Sequence, residues 1–100
     1  MQDIDLMETS GPLAESDLRQ QSDRLLVMNE FAVAYQEPIN DDSHRGYLTA
    51  WVRTDHHRND DPEYTRKQGW SGDDDMMRGW LSEMAERGPD RIESFIGQEH

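Results

Sequence analysis

The residues with the clearest chemical potential are two short runs rich in aspartate and histidine. Asp55-His56-His57 combines a carboxylate with two imidazoles, and Asp73-Asp74-Asp75 offers three consecutive carboxylates. Imidazole nitrogens suit Zn²⁺, Ni²⁺ or Cu²⁺, whereas carboxylates suit Mg²⁺ or Ca²⁺. The first chemistry that these residues suggest is therefore the binding of a divalent cation.

The spacing within both runs differs from that of established cation sites. Neighbouring residues of a helix point about 100° apart, so the members of the first run would not converge on one ion. A calcium loop that began at Asp73 would need glycine at position six and glutamate at position twelve, where the chain has Arg78 and Met84. The sequence therefore predicts no metal site and no cofactor. A metal-binding loop at Asp55-His56-His57 remains as an alternative.

The first run also resembles a family motif. Asp55-His56-His57 is similar to the Asp-His-His motif of the DHH phosphoesterases, which helps them to bind divalent metals. The resemblance covers three residues, and the further Asp and His motifs of that family need a far longer chain. A glycine-flanked nucleophilic serine, a phosphate-binding glycine loop and a cysteine are all missing from the sequence. We therefore predict no catalytic residue and no enzymatic activity.

The strongest compositional bias is an excess of acid. The 100 residues contain 22 Asp and Glu against 10 Lys and Arg, which gives a formal net charge of −12. Affinity for nucleic acids comes largely from Lys and Arg that neutralise phosphates, so direct binding to DNA or RNA is disfavoured. A protein with a basic surface is the expected partner, and a nucleic-acid-binding enzyme or complex offers such a surface.

The acidity also suggests a class of protein. Inhibitors of restriction, repair or CRISPR complexes from phages and mobile elements resemble the chain in size, acidity and lack of cysteine. This resemblance implies a nucleic-acid mimic that inhibits or regulates a nucleic-acid-processing protein. An alternative is a small accessory or regulatory subunit that docks on a larger enzyme through Trp, Met and Phe side chains.

The predicted partner-binding residues are acids at the boundaries of predicted elements, together with one tryptophan. Trp70 lies between Gly69 and Ser71-Gly72, outside any predicted element, and is the candidate for an exposed anchor. Packing of Trp70 over the core is the alternative. The predicted set is Asp41, Asp42, Asp60, Asp61, Trp70, Asp73, Asp74 and Asp75.

Apolar periodicity favours a mainly α-helical fold of about four helices. Residues 13–36 and residues 44–56 both repeat apolar side chains at helical steps. A short helix is expected to open at Asp61-Pro62, and the clearest helix follows the aspartate run and ends at Gly88-Pro89. Residues 90–96 are expected to form a final turn or two.

Two segments also fit β-structure. Phe31, Val33 and Tyr35 alternate with smaller residues, and residues 47–52 are rich in β-prone side chains. The alternative is therefore an α+β fold with a short antiparallel hairpin at 31–35 and 47–52.

The length is enough for one domain. Residues 1–12 are expected to form a flexible acidic tail and residues 13–97 a single small domain.

The chain has no cysteine, and the acidic start lacks the basic and apolar regions of a signal peptide. The longest apolar run, 31–35, is far too short to span a bilayer. A cytoplasmic protein outside the membrane is predicted, and the sequence indicates no oligomeric state.

Overall fold

The computed structural model describes residues 6–9, 11–38, 44–58 and 60–97, and only the main chain of 56–58. In chain order, its elements are β1 (Leu13–Ala14), α1 (Glu15–Gln21), β2 (Arg24–Met28), β3 (Phe31–Gln36), β4 (Arg45–Arg58), β5 (Asp61–Asp73), α2 (Asp74–Arg87) and α3 (Pro89–Gly97). The strands form one antiparallel sheet in the order β1-β5-β4-β3-β2. The prediction of a mainly helical fold is therefore wrong.

Three of the predicted helices are largely strands. The helix expected over residues 13–36 is replaced by β1, α1, β2 and β3, and the helix expected over residues 44–56 is β4. The short helix expected from Asp61-Pro62 is β5. The α+β alternative describes the central pairing, because Phe31 lies opposite Val52 and Tyr35 opposite Leu48 in antiparallel register.

Burial of both sheet faces explains the error. Every residue from Phe31 to Tyr35 is buried, although successive residues of a strand point to opposite faces. A strand covered on both faces has a continuous apolar run instead of an alternating one, and periodicity does not separate such a run from a buried helix.

Two separate apolar cores cover the two faces of the sheet. The first face packs against α2 and α3, and its buried core is Phe31, Val33, Tyr35, Leu48, Ala50, Trp70, Met77, Leu81, Met84, Ile92 and Phe95. The second face packs against α1 and the segment before β1, and its buried core is Leu6, Leu18, Ala32, Ala34, Trp51 and Tyr64. Trp51 also satisfies its indole N–H inside the second core, because Nε1 donates to Thr49 Oγ1 at 2.8 Å.

A bulge in β5 divides its aromatic side chains between the two cores. Ala50 lies opposite Gln68, but Trp51 lies opposite Arg66, so Lys67 is one extra residue in β5. Tyr64 and Trp70 are six positions apart and would share a face in a regular strand. Because of the extra residue, Tyr64 joins the second core and Trp70 the first.

The helix predicted after the aspartate run is confirmed as α2. It ends at Gly88, whose positive φ of 87° favours glycine and whose N–H donates to Met84 O at 2.8 Å. Pro89 then begins α3, in the region where a final turn or two was expected.

Trp70 joins both helices to the sheet. Its ring meets those of Trp80 and Phe95 edge to face, with centroids 6.3 and 5.8 Å apart.

Part of the segment predicted as a tail packs against the sheet. Leu6 is fully buried in the second core. Arg66 Nη1 donates to the carbonyl oxygens of Leu6 and Met7 beside β5. Residues 1–5 and Ser10 of the predicted tail lie outside the described part of the chain.

The bulge generates a prediction with a matched control. Deletion of Lys67 should lower the free energy of unfolding by about 3 kcal/mol or more, because either Tyr64 or Trp70 then loses its place in a core. Lys67→Ala keeps the extra residue and removes only an exposed side chain, so it should change this free energy by less than about 0.5 kcal/mol. Urea unfolding followed by tryptophan fluorescence measures both. Equal stabilities of the two variants would contradict the assigned register.

Candidate functional site

The three consecutive aspartates lie at the N-terminus of α2 and have different structural roles. Asp73 caps the helix, because its Oδ1 accepts from the N–H groups of Asp75 at 3.0 Å and Met76 at 3.3 Å. Asp74 and Asp75 occupy the first turn, where negative charge is favoured by the helix dipole. Helix capping and the helix dipole therefore account for the position of this run.

Asp74 is held by a network that joins β3 to α2. Tyr35 Oη donates to Asp74 Oδ1 at 2.5 Å, and Arg78 Nε lies 3.1 Å from Asp74 Oδ2. Arg78 Nη2 also contacts Asp75 Oδ1 at 2.5 Å, but the Asp75 side chain is 87% exposed and that of Asp74 only 20%. Asp74 is thus committed to the fold, whereas Asp73 and Asp75 face solvent.

The buried phenol of Tyr35 has an altered ionisation. Burial, followed by the hydrogen bond to Asp74 and its negative charge, raises the pKa of Tyr35 far above its usual value. The hydroxyl therefore remains a proton donor to Asp74 throughout the physiological pH range.

Further acids surround this helix terminus. Two adjoining shallow clefts, of about 260 and 340 Å³, lie beside the start of α2. Beside the larger cleft, Glu37 N–H donates to Asp23 Oδ2 at 2.7 Å. The charged residues that line them are Asp23, Arg24, Glu37, Asp73, Asp74, Asp75 and Arg78. We call the acids Asp23, Glu37, Asp73, Asp74 and Asp75 the α2 end.

A second acidic group lies at the turn between β4 and β5. Asp60 is exposed in this turn with a positive φ of 67°, and Asp55 is exposed on β4. Asp61 Oδ2 accepts from Ser16 N at 3.3 Å and from Ser16 Oγ at 2.5 Å, so it holds α1 against the hairpin. We call Asp55, Asp60 and Asp61 the hairpin end.

The two acidic ends are separated by the full length of β5. The strand has 13 residues, and at about 3.3 Å per residue it spans about 40 Å. The longest dimension of the described structure is 39 Å. The sequence-predicted acids of the described chain therefore form two separate groups, and the predicted residues Asp41 and Asp42 lie outside the described residues.

The remaining predicted partner-binding residue is not a surface anchor. Trp70 is 5% exposed and lies inside β5 in the first core, so the alternative of packing over the core describes it. A tryptophan between glycines resembles a loop residue in the sequence, but these glycines belong to the strand.

The residues of the metal-binding alternative lie near the end of a strand. Residues 55–57 belong to β4, and the side chains of His56 and His57 lie outside the described part. Among the side chains that are described, no group of three or more His, Asp and Glu residues could hold a metal ion.

Sequence reasoning missed the acids that join the α2 end from other elements. Asp23 and Glu37 flank the hairpin of β2 and β3, and only the tertiary fold brings them to α2. The Asp74–Arg78 pair could have been found, because residues at i and i+4 are neighbours on a helix.

Comparison with protein-family models, curated proteins and solved structures finds no match. Within residues 6–9, 11–38, 44–58 and 60–97, no helix is long and apolar enough to cross a membrane. The candidate site is thus defined by its own geometry: exposed carboxylates lie at both ends of β5.

The Tyr35–Asp74 contact predicts a pH-dependent contribution to stability. Tyr35→Phe should lower the free energy of unfolding by about 1–2 kcal/mol at pH 7, because Asp74 loses a partly buried donor. The pKa of Tyr35 is raised in the folded state, so this advantage is fully present below pH 10. It should shrink above pH 10, where the unfolded phenol ionises and the folded one does not.

Urea unfolding of the wild type and Tyr35→Phe between pH 7 and pH 11 measures this difference. Tyr47→Phe removes a hydroxyl from a half-buried tyrosine of β4 and is the control. A wild-type advantage that stays constant up to pH 11, or that is missing at pH 7, would contradict the assigned role of Tyr35.

Proposed function

We propose that the protein is an acidic interaction module that binds a basic surface of a nucleic-acid-processing protein and thereby inhibits or regulates it. A binding role is proposed, without catalysis, and the cytoplasm is the proposed compartment. The partner's Lys and Arg side chains would contact the protein's exposed carboxylates where they otherwise contact phosphates.

The observation that carries this proposal is the exposure of carboxylates at both ends of β5. Asp55, Asp60, Asp73 and Asp75 are all exposed. Several arginines, in contrast, are engaged within the fold: Arg19 pairs with Glu15 at 3.5 Å, and Arg91 pairs with Glu83 at 3.3 Å. Each internal ion pair uses one arginine and one acid, and the chain has 22 acids against 10 bases. The excess of acids therefore remains available to a partner.

The distance between the two acidic ends supports mimicry of a duplex. About 40 Å along β5 is close to the 34–36 Å of one turn of B-DNA. A groove that holds one turn of duplex presents basic side chains over a similar length. Contact with both ends of β5 would place carboxylates where such a groove expects phosphates.

The overall charge favours fast, salt-dependent association with such a partner. A net charge of −12 attracts a basic surface before contact, and this attraction raises association rates by about 10- to 1,000-fold at low ionic strength. Salt screens the attraction over about 8 Å at physiological strength, so the affinity should fall as salt is added.

The accessory-subunit alternative has less support. Trp51, Trp70, Phe31 and Phe95 are buried, and among the described residues Met76 is the one exposed large apolar side chain, at 44%. The apolar side chains that would dock on an enzyme are thus mostly used by the two cores. Metal binding at Asp55-His56-His57 stays an alternative.

The proposal predicts that binding requires carboxylates at both ends of β5. The variant Asp55→Asn/Asp60→Asn/Asp73→Asn/Asp75→Asn removes four charges but keeps residues of the same shape. Asn also serves as a helix cap at Asp73 and tolerates the positive φ at Asp60. Partners would be captured from the source organism's lysate with the wild type, identified and purified. The affinity of these partners for the variant should be lower than for the wild type by about tenfold or more.

Glu86→Gln/Glu93→Gln is the control, because it removes exposed charges from α2 and α3, away from both ends. It should bind within about threefold of the wild type. A 20-base-pair DNA duplex should displace the wild-type protein from its partner, and 0.5 M NaCl should weaken the complex strongly. A partner that binds the asparagine variant as tightly as the wild type, or that resists both salt and duplex DNA, would contradict the proposal.

A further inference from the structure

The two cores of the protein draw on different parts of the chain. The first core takes all of its described members, buried or partly buried, from the elements between β2 and α3. The second core also needs the chain before β2, because Leu6, Leu13 and Leu18 belong to it. We call residues 6–9 and 11–21, which include β1 and α1, the N-terminal unit. Loss of this unit would remove part of the second core and leave the first core complete.

The N-terminal unit covers the second face of the sheet through a small apolar contact and a few hydrogen bonds. Leu6 and Leu18 are fully buried and share the second core with Trp51 and Tyr64. Arg66 Nη1 donates to the carbonyl oxygen of Leu6 at 3.2 Å. β1 adds two residue pairs at the edge of β5. The unit is therefore attached to β4 and β5 from one side of the sheet.

The first turn of α1 obtains its hydrogen-bond acceptor from the hairpin end. The capping residue of α1 is Ala14, whose methyl group accepts no hydrogen bond. Asp61 of β5 supplies the acceptor instead, because its Oδ2 accepts from Ser16 N at 3.3 Å and from Ser16 Oγ at 2.5 Å. A helix of seven residues is not stable on its own. Hence α1 needs both Asp61 and the second core to keep its structure.

We infer that the N-terminal unit is a lid, which opens while the rest of the protein stays folded. Opening breaks the contacts of Leu6 and Leu18 and the two hydrogen bonds to Asp61, whereas the first core keeps every residue. The open form bares Trp51 and Tyr64 on the second face and releases the Asp61 carboxylate to the hairpin end. The lid acts in the protein alone, so it does not depend on the proposed partner.

The part that stays folded has what a stable structure requires. It keeps β2, β3, β4 and β5 as one antiparallel sheet, with α2 and α3 packed on the first face. Three or more strands with an apolar face covered by helices are enough for independent stability. Segments with few buried apolar contacts open at a lower free energy than the whole protein. Opening of the lid should therefore be the easier event.

Hydrogen exchange of single amide protons, followed by NMR, measures this opening. The Ser22 amide reports on α1, because it donates to Leu18 O at 3.0 Å. The Val33 amide reports on the rest of the fold, because β3 is paired on both sides. In the wild type, protection from exchange should be at least about tenfold lower at Ser22 than at Val33.

Variants of the first core separate a lid from unfolding of the whole protein. Met84→Ala weakens contacts that remain intact in the open form. It should accelerate exchange at Val33 about 30-fold or more and leave Ser22 within about twofold of the wild type. Tyr35→Phe is a gentler change in the same core and should give the same pattern with about fivefold acceleration at Val33.

Variants of the lid contacts should act on Ser22. Leu6→Ala removes the buried anchor and should accelerate exchange at Ser22 about tenfold or more. Asp61→Ala removes the acceptor for α1 and should accelerate it about threefold or more. Asp75→Ala, at the start of α2, removes an equal charge and should leave Ser22 within about twofold of the wild type.

Equal acceleration of Ser22 and Val33 by Met84→Ala and by Tyr35→Phe would show that the protein opens only as a whole, and would overturn the lid. So would a Ser22 amide whose exchange responds neither to Leu6→Ala nor to Asp61→Ala.

Discussion

One extra residue in β5, Lys67, determines which core each aromatic side chain of that strand joins. Without it Tyr64 and Trp70 would lie on the same face, and one of the two cores would lose its largest contribution from β5. Because of the bulge, one strand contributes Tyr64 to the core beneath α1 and the N-terminal segment, and Trp70 to the core beneath α2 and α3. A chain that is only 33% hydrophobic can therefore cover both faces of its sheet.

The same sheet determines where the charge lies. Apolar side chains occupy both faces, so acids concentrate at strand ends, turns and helix starts, where exposure is compatible with the fold. Some of these acids have structural duties: Asp73 caps α2, Asp74 holds Tyr35 and Asp61 holds Ser16. The neighbouring carboxylates of Asp60 and Asp75 remain exposed. The acidic ends thus result from folding constraints, and their separation along β5 gives them the length that the proposed function uses.

The parts that could be predicted from the sequence are those with local signals. The aspartate cap, the apolar stripe and Gly88-Pro89 defined α2, and the alternation at Phe31, Val33 and Tyr35 indicated a possible strand. Local signals failed where tertiary burial replaced alternation, as in β4 and β5, and at Trp70, whose flanking glycines belong to a strand. Asp23 and Glu37 could not be assigned to the α2 end, because only the sheet brings them there.

The most direct test of this account is the register of β4 against β5, measured by NMR contacts between Hα protons of opposing residues. The structure predicts contacts of Tyr47 with Ser71 and of Arg53 with Tyr64, which are compatible only if β5 has an extra residue between them. Contacts of Tyr47 with Ser71 and of Arg53 with Thr65 would indicate a regular strand. That result would contradict the bulge and the division of the two cores.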